Sequence, residues 1–176
     1  MHLSLQSIAW WPTVVVVAVA TITDMRSRRI PNWLTLPFMA IGLAASAWLE
    51  GWHGTAQSLE GLALGAAVYG LLCFMGGMGM GDVKLCAAIG AWVGPSQLLL
   101  AVVLTAMIGG FMAFGWAIVG GFVGDLFKGS GDLLFGLRKR GLTPHPELVL
   151  SNPLTRKMPY APAIALGTLI SFFCHR

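Results

Sequence analysis

Residues 8–29 read IAWWPTVVVVAVATITDMRSRR. From Ile8 to Thr23 there is no charge. Asp24 then ends the run, and Arg26, Arg28 and Arg29 follow at once. A helix needs about 20 residues to cross a hydrocarbon core of roughly 30 Å. An apolar run closed by arginines therefore reads as a membrane helix whose downstream end stays in the cytoplasm. Ala18-Val19-Ala20 offers a small-x-small cleavage pattern, but Met1 to Ser7 lacks the basic segment of a signal peptide, and the positive charge follows the run. A retained helix with its N-terminus outside is expected.

The rest of the chain has the same character. Of 176 residues 56% are apolar and 10% charged, with seven Asp and Glu and eleven Lys and Arg. Soluble domains carry roughly 25% charge, and so few ionic groups cannot coat a surface in water. Cys73, Cys86 and Cys174 stand far apart, which excludes a disulfide scaffold or a zinc ribbon. The apolar content excludes disorder. The net charge of +4 is too sparse for a nucleic-acid surface and is read as an orientation signal.

Six apolar stretches emerge, at about 8–23, 33–49, 59–78, 83–93, 98–123 and 160–173. The fourth is short enough to be tilted or half-buried. Alternating the connections between two sides puts every Lys and Arg except Arg176 on one side, which the positive-inside rule makes the cytoplasm. The expected fold is thus all-α and polytopic: about six transmembrane helices with both termini outside, in a single domain over 1–176. Most of the seven tryptophans flank the spans, as interface anchors do. Residues 124–158 form the one sizeable loop, cytoplasmic on this topology. Its mixture of apolar and basic residues fits either a helix lying in the interface or a partly ordered linker.

Ionisable groups at the edge of a span are costly. Asp24 ends the first helix, and Asp82 follows the glycine-rich run Gly76-Gly77-Met78-Gly79-Met80-Gly81. The topology puts both at the cytoplasmic ends of their helices, at similar depth. Two close carboxylates in a low-dielectric site cannot both ionise, so one keeps a proton while the other acts as a base. Such a pair can activate water against a peptide carbonyl. The glycines would let an extended backbone approach. The plain alternatives are an interfacial Asp24 paired with the arginines after it, and Asp82 with Lys84 in a solvated turn. Gly61 with Gly65 and Gly90 with Gly94 read as helix-packing pairs. Glu50, Glu60 and His53 fall on the outer side, away from both aspartates.

Gly79-Met80-Gly81-Asp82 resembles the Gly-x-Gly-Asp signature of intramembrane aspartyl proteases. Asp82-Val83-Lys84-Leu85, with Asp24 and the following Arg29-Ile30-Pro31-Asn32, resembles the type IV prepilin peptidase family, and Pro159-Tyr160-Ala161-Pro162-Ala163 is similar to its last-helix motif. The resemblance implies an aspartic endopeptidase that removes leaders from type IV pilin-like precursors at the cytoplasmic face of the inner membrane. Asp24 and Asp82 would be its catalytic pair. Gly79 and Gly81 would shape the loop presenting Asp82, with Lys84 beside them in the substrate loop. Neither metal nor organic cofactor is implied; the partners are the precursor protein and membrane lipid. Larger bifunctional members add a methyltransferase region with a CxxC…CxxC zinc site. This chain has no CxxC, so it is similar to the compact peptidases of Flp-type pilus systems, and no N-methylation is expected of it.

Two readings from other classes compete. A small transporter using the carboxylates as a proton or cation relay would favour acids at mid-membrane depth. A non-catalytic assembly subunit would leave the two aspartates apart.

Overall fold

The computed structural model describes residues 5–75, 78–120 and 160–174. They form four helices: α1 (Leu5–Ser27), α2 (Asn32–Phe74), α3 (Met80–Gly120) and α4 (Ala161–Cys174). The first three are long and apolar enough to cross a membrane. The expectation for 124–158 lies outside the described residues.

The second apolar stretch and most of the third fall within α2, and the fourth and most of the fifth within α3. A straight helix of 43 residues would be about 65 Å long, twice the hydrocarbon thickness. Both long helices break at a glycine instead. Gly51 has φ 61° and ψ −141°, and Gly94 has φ 76° and ψ 177°, backbone geometry that side chains with a Cβ avoid. Pro95 then opens the second arm of α3, a position where its missing N–H costs nothing. Loops were expected over 50–58 and 94–97. Single glycines do the turning there, because the polar residues around them stay in helical register.

Contacts show which way each arm runs. Along the first arm of α2, Asn32 bonds Lys84 and Phe38 stacks on Trp92, so this arm runs alongside the start of α3 in the same direction. Along the second arm the order inverts: Ser58 meets Ala91, Gly61 meets Gly90 and Gly65 meets Cys86. The chain has turned back at Gly51. Tyr69 reaches side chains on both sides of Gly94, Cys86 and Thr105, so α3 turns back as well. Its second arm lies against α4 head to tail, with Gly109 at Tyr160 and Thr105 at Gly167. Helix α1 is antiparallel to α4: Trp10 packs edge-on against Phe172 and Phe173, while Asp24 meets Ala161. The bundle therefore has an aspartate end and a far end, where Gly51 and Gly94 turn.

The first arm of α3, residues 80–93, is the centre of the molecule. Leu85, Cys86, Ala88, Ile89, Ala91, Trp92 and Val93 are all buried. Packing is close because it is backbone on backbone. A Cβ on Gly61 would run into the Gly90 carbonyl, and one on Gly65 would meet the backbone of Cys86 at 2.7 Å. The small-residue pairs expected to pack thus do so. Trp92 is no interface anchor. It lies in the core, donating from Nε1 to the Phe38 carbonyl at 2.8 Å.

Polarity is distributed as lipid requires. Thr13, Ser46, Ser58, Gln97, Thr105, Thr168 and Ser171 are buried, whereas Trp11, Trp33, Trp48 and Trp52 are exposed, Trp48 to 91%. Hydroxyls near the end of α1 bond within the helix, as where Thr21 donates to the Val17 carbonyl at 2.7 Å. An apolar exterior this extensive would aggregate in water but matches a hydrocarbon solvent.

Candidate active site at the aspartate end

Asp24 occupies the last turns of α1, where the helix is about to stop. The stop is made by Arg28, whose N–H donates to the Asp24 carbonyl at 2.8 Å and whose φ is +51°. This is the left-handed closing residue of a helix, a place usually held by Gly or Asn. The Asp24 side chain points inward and is 8% exposed. Its Oδ2 accepts a hydrogen bond from the Ala161 N–H at 3.2 Å.

That bond follows from the accounting at the start of α4. A helix leaves its first N–H groups without intrahelical partners. Pro162 has none to offer. Ala163 turns its own onto the Tyr160 carbonyl at 3.0 Å. The Ala161 N–H is left over in a buried position, and the Asp24 carboxylate caps it from another helix. The positive end of the α4 dipole favours a negative charge there.

Asp82 stands in the first turn of α3. Its N–H donates to the Gly79 carbonyl at 3.1 Å. Its Oδ2 stays beside Gly79, 3.5 Å from where a Cβ on that residue would lie. Gly81 faces the α1–α2 connection, where an added Cβ would lie 3.2 Å from the Ile30 Cβ. The two glycines thus perform different tasks. Gly79 accepts from the Asp82 N–H at the helix start, and Gly81 lets the chain after α1 come close.

These pieces enclose a cleft of about 280 Å³ lined by Asp24, Arg28, Arg29, Ile30, Gly79, Met80, Gly81 and Asp82. The two aspartates, distant in sequence, share this cleft and are close enough for their charges to interact. Among the described residues no ion pair joins Asp24 to Arg26, Arg28 or Arg29, so the arginine-paired alternative finds no support. Of the expected site residues, Asp24, Asp82, Gly79 and Gly81 come together. Lys84 does not line the cleft; its Nζ donates to Asn32 Oδ1 at 2.9 Å, tying the starts of α2 and α3. Glu50 lies at the far end.

Sequence reasoning missed three participants: the Ala161 N–H, the closing role of Arg28, and Ile30 as the wall against Gly81. Pro162 just inside a helix start was a usable signal for the first. No pattern in the sequence marks the other two.

With this geometry in hand, comparison with known proteins is informative. The model of the type IV leader peptidase family matches residues 11–114, a stretch that includes both aspartates and Arg28. A prepilin leader peptidase/N-methyltransferase of Aeromonas hydrophila is 36% identical over 110 residues, covering 58% of this chain and 37% of that protein. The protein of the same name from Escherichia coli K12 is 34% identical over 113 residues, covering 58% of this chain and 47% of that one. The Neisseria gonorrhoeae counterpart is 36% identical over 97 residues, covering 51% and 33%. The matched stretch thus spans less than half the length of these curated relatives. No solved structure matches. The match over most of the bundle settles the family question: this chain belongs to the type IV leader peptidase family.

Proposed function

We propose that this protein is an aspartic endopeptidase of the cytoplasmic membrane that removes the leader from type IV prepilin-like precursors. One observation carries the proposal: Asp24 and Asp82, brought from separate helices, line a single cleft beside glycine-exposed backbone. The names of the relatives supply the substrate class.

The chemistry needs only these two groups and water. One carboxylate is ionised and the other protonated. The ionised one takes a proton from water as its oxygen bonds to the scissile carbonyl carbon, and the protonated one gives its proton to the carbonyl oxygen. The resulting diol then collapses. One hydroxyl proton returns to the dyad, the C–N bond breaks, and the departing nitrogen takes a proton from the other carboxyl.

The topology fits this use. Six helical arms alternating in direction would cross the membrane six times, with both termini outside. The aspartate end, next to Arg26, Arg28 and Arg29, would then face the cytoplasm. A precursor leader would reach the cleft from that side. Asp24→Asn and Asp82→Asn, each co-expressed with a precursor, should abolish the shift to mature size while the protein still inserts in the membrane. Retained cleavage in either variant would refute the dyad.

A further inference from the structure

Arg28 pays a conformational penalty that its position does not require. A non-glycine residue at positive φ is uncommon and strained, and the closing residue of a helix gains nothing from a long side chain. Glycine would make the same bond to the Asp24 carbonyl without strain. Strain kept at the wall of a functional cleft calls for a reason in the side chain. Arg28 and its neighbour Arg29 line that cleft together with both aspartates. Among the described residues no ion pair engages the Arg28 guanidinium.

We propose that Arg28, at the cleft wall, is a specificity-determining residue whose guanidinium takes up a carboxylate of the substrate chain close to the scissile bond. This rests on the peptidase reading above. A guanidinium presents a planar fork that matches a carboxylate in two parallel hydrogen bonds. The substrate backbone must lie along this wall for its carbonyl to reach the dyad, so a substrate side chain passes within the reach of Arg28. Lipid phosphate is the less apt ligand. Arg26, in the last turn of α1 and outside the cleft lining, already offers charge to headgroups. An arginine serving lipid has no need of the aspartates' wall.

The test uses purified protein in neutral detergent with a full-length precursor, and compares Arg28→Gly, Arg28→Asn and Arg28→Lys. Gly and Asn both accept the left-handed backbone. The expected result is that the Gly variant melts no lower than the parent yet loses about tenfold in kcat/KM, mainly through KM. The Asn variant should behave alike and the Lys variant retain part of the activity. A precursor whose acidic side chains flanking the cut are changed to amides should lose the same factor against the parent and nothing more against Arg28→Gly. Arg28→Gly and Arg28→Asn cutting as well as the parent would overturn the proposal. So would a loss confined to vesicles containing anionic lipid, which would assign the guanidinium to headgroups. If the parent itself fails to cut any precursor, the peptidase reading fails instead, and the two failures are distinct.

Discussion

Clefts lined in part by acids open at both ends of the bundle, and the contrast between them isolates what a reaction needs. The far cleft, about 220 Å³, is lined by Glu50, Gly54, Gln57, Ser58, Trp92, Val93 and Gly94. It too has an acid and bare glycine backbone. Its acid is single, however, and its Ser58 hydroxyl is committed to the Ala91 carbonyl. The chain there reverses by one-residue turns at Gly51 and Gly94, and among the described residues the cleft lining holds one carboxylate. At the aspartate end the connections are longer. The end of α1, the residues leading into α2, the start of α3 and the start of α4 all converge, so two acids line one cleft and Asp24 receives the Ala161 N–H. Space and the presence of an acid alone do not distinguish the ends; the pairing of acids does.

The largest expected effect tests that distinction directly. Asp82→Asn should reduce cleavage by at least about a thousandfold, the scale on which essential acid–base groups act, whereas Glu50→Gln should leave the rate of precursor processing unchanged. Equal losses from the two substitutions would mean that the far cleft shares in the reaction and that the contrast is false.

A second substitution probes how the aspartate end holds its geometry. Ala161→Pro removes the N–H that Asp24 accepts, at a helix start where proline is otherwise well tolerated. The proline ring also takes up the space into which that N–H pointed, so Asp24 must shift. A misplacement of about 1 Å in a catalytic group can cost a hundredfold. We expect kcat to fall about ten- to a hundredfold with membrane insertion intact, and Ala161→Ser, which keeps the N–H, to remain close to the parent. If the Pro and Ser variants process the precursor equally, the α4 start does not position Asp24.

Much of this arrangement was legible in the sequence, for identifiable reasons. Acids are so few that the two beside spans and glycines stood out. The small pairs Gly61–Gly65 and Gly90–Gly94 announced close packing. What stayed hidden was relational. A membrane helix is apolar all round, so periodicity cannot say that residues 80–93, a short arm, are the buried centre. Glu50 to Ser58 contains enough polar residues to read as a loop, yet it is helical on both sides of Gly51, because one positive φ suffices to turn the chain. The Ala161–Asp24 bond joins the two ends of the sequence. It becomes visible only when the orphan N–H groups of α4 are counted.

The two remaining substitutions act on stability and separate the middle of the bundle from its far turn. At Gly61 an added methyl group has nowhere to go, since the Gly90 backbone lies against it. Overpacking of this kind costs about 1–3 kcal/mol, so Gly61→Ala should lower the unfolding free energy in detergent by that amount. At Gly51 nothing lies within 4 Å of an added Cβ. The whole penalty of Gly51→Ala comes from its φ of 61° with ψ −141°, backbone essentially reserved for glycine, about 1–3 kcal/mol. The two penalties differ in kind. A smaller partner across the interface cannot relieve the Gly61 collision, because the obstacle is backbone. Asparagine tolerates only the left-handed helical region, so Gly51→Asn should lose as much as Gly51→Ala. If Gly51→Asn recovers the stability that Gly51→Ala loses in thermal unfolding, the far turn does not depend on its glycine backbone, and its simplicity relative to the aspartate end is only apparent.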